Sequence, residues 1–234
     1  MSNIKEEQGQ SKKPVLLAWS GGKDSTLALA ALQADPSVRV IGLVTAVTAG
    51  YERISIHGVR RSILLAQAAS LGLPVFEAML TAQSSNEDYK SAWAAALRRA
   101  RSELGVVETL AFGDIFLEDV RHYREALGSR LGHTSIFPLW GRKTSELAME
   151  FIAAGYEAYL TCVDTTQLHE DFAGRRYDAA LIADLPASVD PCGERGEFHT
   201  CVVDGPVFRE RIAVERGERV RREDRFEYCD LVFP

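Results

Sequence analysis

The sequence predicts an α/β fold, a Rossmann-like (HUP-type) parallel sheet with helices on both faces, followed by a smaller C-terminal α+β subdomain. Three observations carry that reading. Short apolar runs alternate with helix-length patterns from residue 15 to residue 163. The first run passes through a Gly-Gly turn straight into a helical pattern. Past Asp164 the alternation gives way to sequence rich in Gly, Pro and charge. Regular strand–helix succession implies parallel strands, because each parallel return needs a crossover.

The elements are expected in the following order. Residues 1–13 (MSNIKEEQGQSKK) hold too little apolar surface to offset ordering entropy and read as a disordered tail ending at Pro14. Strand 15–19 leads to helix 23–33, strand 38–47 to helix 58–71, and strand 75–80 to helix 87–104. Strand 109–112 precedes helix 120–131, strand 135–138 precedes helix 144–154, and strand 158–163 closes the succession. This gives an α/β domain over 14–164 and a smaller subdomain over 165–234, the latter with apolar stretches at 201–203 and 207–208.

At 234 residues the chain is long enough for one large core with an appendage. The net charge of −6 excludes a broad nucleic-acid or anionic-membrane surface while leaving room for a small basic cleft. No apolar run approaches the roughly 18 residues of a membrane span, and the N-terminus lacks a secretory apolar core, so a cytoplasmic location is expected. Cys162, Cys192, Cys201 and Cys229 form no C-x-x-C pair, so buried or incidental thiols are the default.

The segment VLLAWSGGKDSTLALAAL sets a buried strand, a glycine turn and a helix in direct succession. Gly21 and Gly22 let the backbone approach an anion, and the amides and positive dipole end of the next helix favour its charge. Ser20 and Ser25 add hydroxyl donors, and Lys23 adds a positive charge. The competing reading is a plain turn in which Ser20 or Asp24 caps the helix. Neither the Walker loop nor the dinucleotide fingerprint is present, which disfavours a kinase or dehydrogenase.

The S-G-G-K-D-S run at 20–25 resembles the loop of the PP-loop ATP pyrophosphatases, which cleave ATP between its α- and β-phosphates and attach AMP to a substrate oxygen. Further segments narrow the resemblance to the diphthine–ammonia ligase (diphthamide synthase) family. They are Ser55 to Arg60, Gln67 with Leu71-Gly72-Leu73-Pro74, Gly113-Asp114 before Tyr123-Arg124, Pro138 to Gly141, Gly174-Arg175, Gly193 to Thr200 (GERGEFHT), and Asp204-Gly205-Pro206. The likeness runs from about residue 15 to about residue 208.

The resemblance implies that Ser20, Gly21, Gly22, Lys23, Asp24 and Ser25 grip the β- and γ-phosphates of ATP, with Mg²⁺ on Asp24. His57 and Arg60 are implied on the nucleotide side, and Asp114, which follows a strand, faces ATP or the metal. Glu194 and Glu197 resemble the family's substrate-side acidic pair. The implied partners are a small-molecule or protein-borne carboxylate and ammonia, with neither membrane nor nucleic acid, and a homo-oligomer stays open. Where diphthine-modifying members carry an acidic residue, this chain has His199, which resembles a bacterial branch without that pathway. The expected acceptor is therefore less cationic than diphthine, or carries an additional carboxylate or phosphate.

Each of these residues has a bland alternative: a helix cap for Asp114, a solvated helix start for His57 and Arg60, a solvated turn for Glu194 and Glu197. Trp140 reads as core before it reads as a stacking face. Cys192, His199 and Cys201 lack the second half of a zinc site. Two other functions compete with the ligase: a PP-loop RNA-modifying sulphur transferase, and a nucleotide sensor that binds ATP without turnover.

Overall fold

A computed structural model describes residues 12–50, 53–54, 58–81 and 83–234. The expected tail falls almost wholly outside them, except that Lys13 already opens β1 (Lys13–Ala18). After β1 come α1 (Lys23–Ala34), β2 (Val38–Thr48), β3 (Arg53–Ile54), α2 (Arg61–Leu71), β4 (Val75–Leu80) and α3 (Asn86–Leu104). β5 (Thr109–Ala111), α4 (Glu118–Arg130), β6 (Thr134–Ile136) and α5 (Thr144–Ala153) complete the first unit. β7 (Glu157–Asp164), α6 (Ala179–Asp184), β8 (Phe198–Asp204), β9 (Glu215–Arg222) and β10 (Phe226–Val232) follow.

Five parallel strands form the first sheet in the order β4-β2-β1-β5-β6, and short β3 lies antiparallel on β2. Alternation along β1 divides the core. Val15 and Leu17 face one layer with α1, α2 and α5, while Leu16 faces the other with Trp93 and Ala96 of α3. The chain runs outward from β1 to β2 and β4, then returns to the other side of β1 with β5. The gap between β1 and β5 is therefore the point where crossovers diverge, and open α/β sheets place ligands there.

One expected strand changes sheets. Residues 158–163 do form β7, but β7 lies in a second, antiparallel sheet of order β8-β7-β10-β9. Seven of its eight residues are buried. A run covered on both faces looks the same in a parallel or an antiparallel setting, so its sequence does not name its sheet. The expected helix at 58–71 starts later, at Arg61, because Gly58 takes a left-handed φ of +68° and a side chain there would strike the Tyr228 ring. Among the described residues no helix is long and apolar enough to cross a membrane.

Both sheets share one core. Val15, Leu17 and Leu29 of the first unit and Leu160, Val163, Phe198, Val202 and Leu231 of the second belong to a single buried cluster. The second sheet thus packs against the same face of the first sheet as α1 and α2, and brings the start of β8 to the loop after β1.

Candidate active site

The chain leaves β1 just after Trp19, whose N–H still bonds the Val44 carbonyl at 2.8 Å. Gly21 follows with φ +78°, and a Cβ there would meet the Gln67 side-chain amide at 2.6 Å. At Gly22 a Cβ would lie 2.9 Å from the Thr200 carbonyl oxygen. Both positions therefore need glycine, one for its backbone angle and both for space. Gly22 stands at the N-cap of α1 without a capping side chain, while the Ser25 and Thr26 hydroxyls each donate to its carbonyl at 2.9 Å.

Residues far away in sequence hold this loop. Gln67 accepts from Trp19 Nε1 at 3.1 Å and donates to the carbonyls of Gly21 and Val202 at 2.9 and 2.7 Å. Thr200 Oγ1 accepts from the Lys23 N–H at 3.1 Å, and the Val202 N–H donates to Gly21. A buried polar network of this kind fixes geometry because each member left unpaired is costly. Gln67 stood among the residues carrying the family resemblance, but Thr200 as a brace for α1 is visible only once β8 is in place.

A cavity of about 280 Å³ opens between this loop, β2, the turn after β5 and the 193–200 segment. Ser20, Gly22, Lys23, Asp24 and Ser25 line one side, Asp114 another, and Glu194, His199 and Thr200 the side from the second unit. Thr45 of β2, Tyr89 and Trp93 of α3, and Arg124 of α4 complete the wall. Of these four, only Arg124 lay in a segment that the sequence singled out.

Lys23 does not project freely toward the cavity. Its ammonium donates to both Asp24 oxygens at 2.9 Å and to the Cys192 carbonyl, and it sits 5.5 Å from the centre of the Phe198 ring. Burial works against its charge, yet Asp24 more than compensates and holds its pKa above the ordinary value. The side chain thus ties the loop after β1 to the 190–194 turn.

Glu194 accepts from the Ile115 N–H at 2.7 Å, and burial pushes its pKa up to about 7 against that hydrogen bond. Asp114 is also raised by burial, partly offset by Arg124, whose Nε lies 3.8 Å away. His199 is buried and held down to about 4, so it is neutral near pH 7. Glu197 differs from both expectations made for it. It is 1% exposed and does not line the cavity; its oxygens accept from the N–H groups of Asp190 and Arg195, each at 2.9 Å. It therefore braces the turn that presents Glu194.

Arg60 likewise lies off the cavity, donating to Asp230 of β10 from Nε and from Nη2 at 2.6 Å, and Arg53 joins the same carboxylate. Residue 57, the expected His57 contact, lies outside the described residues. Trp140 packs edge-on against Phe137 under the Arg121 guanidinium, away from the cavity. The Mg²⁺ expectation on Asp24 meets a carboxylate already engaged by Lys23 through both oxygens, and no group of three His, Cys, Asp or Glu residues that could hold a metal occurs among the described residues. The residues as arranged do not make a protein-built metal site.

Comparison with known proteins agrees with this arrangement at the level of the fold units. Residues 13–135 match the family described as diphthamide synthase N-terminal domain, and residues 143–231 match diphthamide synthase C-terminal domain. The join falls between β6 and α5, ahead of β7, where the second sheet begins. Relatives named diphthine–ammonia ligase include one from Schizosaccharomyces pombe, 30% identical over 49% of this chain and 20% of its own length. Another from Rattus norvegicus is 29% identical over 49% of this chain and 45% of its own, and one from Mus musculus is 24% identical over 74% and 66%. The matched stretches thus span less than two thirds of those relatives. With both of its units matched in order over most of its length, the chain belongs to the diphthamide synthase family.

Proposed function

We propose that the protein is an ATP-dependent ligase that adenylylates a substrate carboxylate and forms an amide with ammonia. The observation that carries this reading is one cavity shared by a glycine-built loop at a helix start and an acidic segment from the second unit. Ser20 to Ser25 would hold the pyrophosphate end of ATP through hydroxyls and the α1 dipole end. A substrate carboxylate oxygen bonds the α-phosphorus as the α–β bridging bond breaks and pyrophosphate leaves. Ammonia then bonds the acyl carbon, AMP departs, and a proton passes to a base.

Glu194 suits the base. A carboxylate with a pKa near 7 can accept a proton at neutral pH and is held in place by the Ile115 amide. Lys23 serves by locking the loop to the 190–194 turn, and Glu197 by bracing that turn from beneath. Mg²⁺ accompanies ATP in reactions of this type and would ride on the nucleotide's phosphates, since Lys23 engages both oxygens of Asp24. The sulphur-transferase alternative is disfavoured because burial raises Cys162, Cys192 and Cys201 to about 12, far from the low pKa of a working thiol.

The test is to incubate the protein with ATP, Mg²⁺, ammonium and a metabolite extract, and to resolve the adenine products. AMP with pyrophosphate, dependent on both extract and ammonium, is the expected result. ADP with phosphate would defeat the reading, and ATP binding without turnover would favour the sensor.

A further inference from the structure

Four buried side-chain polar atoms lack a hydrogen-bond partner among the described residues, and three of them line the cavity: Thr45 Oγ1, Trp93 Nε1 and Arg124 Nε. Trp93 and Thr45 are only 3% and 2% exposed. An indole N–H and a guanidinium N–H can only donate, and a hydroxyl can donate as well. Buried donors left unmet are costly, so Trp93 Nε1 and Arg124 Nε call for an acceptor from outside the protein.

Two of these groups are neighbours, while Thr45 alternates to the other face of the sheet from Val44, which shares the layer of Trp93. The Arg124 guanidinium lies 5.2 Å from the Phe112 ring centre and donates to the Tyr89 hydroxyl at 3.0 Å, while the Trp93 ring packs 6.0 Å from Tyr89 and 6.1 Å from Phe112. Beside them, Asp114 balances the arginine charge from 3.8 Å, too far for a hydrogen bond. A bare carboxylate placed on the donors would lie against that aspartate. A purine could accept from the two donors but brings no cationic N–H to Asp114. A ligand bearing both an oxyanion and an N–H cation meets Trp93, Arg124 and Asp114 at once.

We propose that this wall receives the α-amino carboxylate head group of a small, free amino acid, its carboxylate on Trp93 and Arg124 and its ammonium on Asp114. The assignment rests on the cavity being a ligase site and names the acceptor's class: an amino acid whose activated carboxylate lies elsewhere on the molecule. Trimethylation of the ammonium would weaken the fit, since it keeps the charge but removes the N–H donors that meet Asp114.

The test follows the indole N–H signal of Trp93 by NMR in labelled protein, assigned by its loss in Trp93→Phe, with alanine as the head-group probe. Propionate, ethylamine, N,N,N-trimethylalanine and adenosine serve as controls. Alanine is expected to move the signal with and without bound ATP, about tenfold more tightly than propionate, ethylamine or the trimethylated form. Asp114→Asn should erase the advantage of alanine over propionate. No response to alanine, equal response to propionate, or a response to adenosine with competition between ATP and alanine would each overturn the proposal. AMP formation measured on the same protein separates the two claims. Alanine binding without AMP would sink only the ligase reading, and AMP formation with no alanine response would sink only this one.

Discussion

Single side chains here act chiefly through what they hold. Lys23 shows why residue type alone misleads, since its ammonium is spent on Asp24 and the Cys192 carbonyl. Lys23→Ala should therefore lose turnover and also about 1–2 kcal/mol of stability, the cost of stranding the Cys192 carbonyl and a partly exposed carboxylate. Lys23→Met with Asp24→Asn should recover much of that stability in urea titrations but not the activity. If the single variant unfolds like the parent, the lock is not structural. Glu194 gives a pH signature in two readouts. In the proposed reaction its ionised form is the base, so kcat should rise through about pH 7 and Glu194→Gln should flatten that limb while cutting kcat by about a hundredfold. Its folded pKa is raised above the unfolded value of 4.5, so the folded state keeps its proton longer. The stability that this group contributes is full below pH 4.5 and is lost as pH rises to about 7. Glu194→Gln should remove that slope from a set of denaturation curves.

At the scale of elements, the site is made by one loop being held from behind by a helix and a strand of different units. Gln67 of α2 is fully buried and joins Trp19, Gly21 and Val202. Replacing it with leucine keeps the bulk but strands the Trp19 indole N–H, takes the side-chain donor from the Val202 carbonyl and leaves the Gly21 carbonyl only its Val202 partner. Gln67→Leu should cost about 2–3 kcal/mol and weaken ATP binding with it, read by urea titration and calorimetry. Thr200→Val removes only the acceptor for the Lys23 N–H, so a loss of about 1 kcal/mol is expected, with the loop disturbed more than the fold. A wild-type ATP affinity in both variants would show that the loop needs no bracing. The α1 start and the glycine turn were legible in the sequence because that chemistry is local. The braces were not, because Gln67 and Thr200 lie 46 and 177 residues from their partners.

Across the whole molecule, the two sheets behave as one folding unit because a single apolar cluster runs through both. A chain ending near residue 142 should fail to give a soluble folded product, whereas the full chain should unfold in one transition. A further tie is Asp230, which burial would push up but Arg53 and Arg60 hold down to about 2. Its stabilisation is present above about pH 4 and lost as pH falls through about 2. Asp230→Asn should cost about 1 kcal/mol, less at high salt, because Arg60 is half exposed. The sequence by itself determined the strand–helix succession, the parallel sheet and the glycine turn from β1 into α1, since periodicity and turn chemistry are properties of contiguous residues. It left unread the hairpin of β9 and β10, whose first strand is almost wholly exposed and charged. Only the tertiary structure decided that β7 joins the second sheet, that Arg60 turns to β10, that Glu197 lies beneath its turn, and that Trp93 and Arg124 share a wall. Each of those outcomes depends on which surface a side chain meets after packing, and burial on both faces or a charge on a helix start is compatible with several such surfaces.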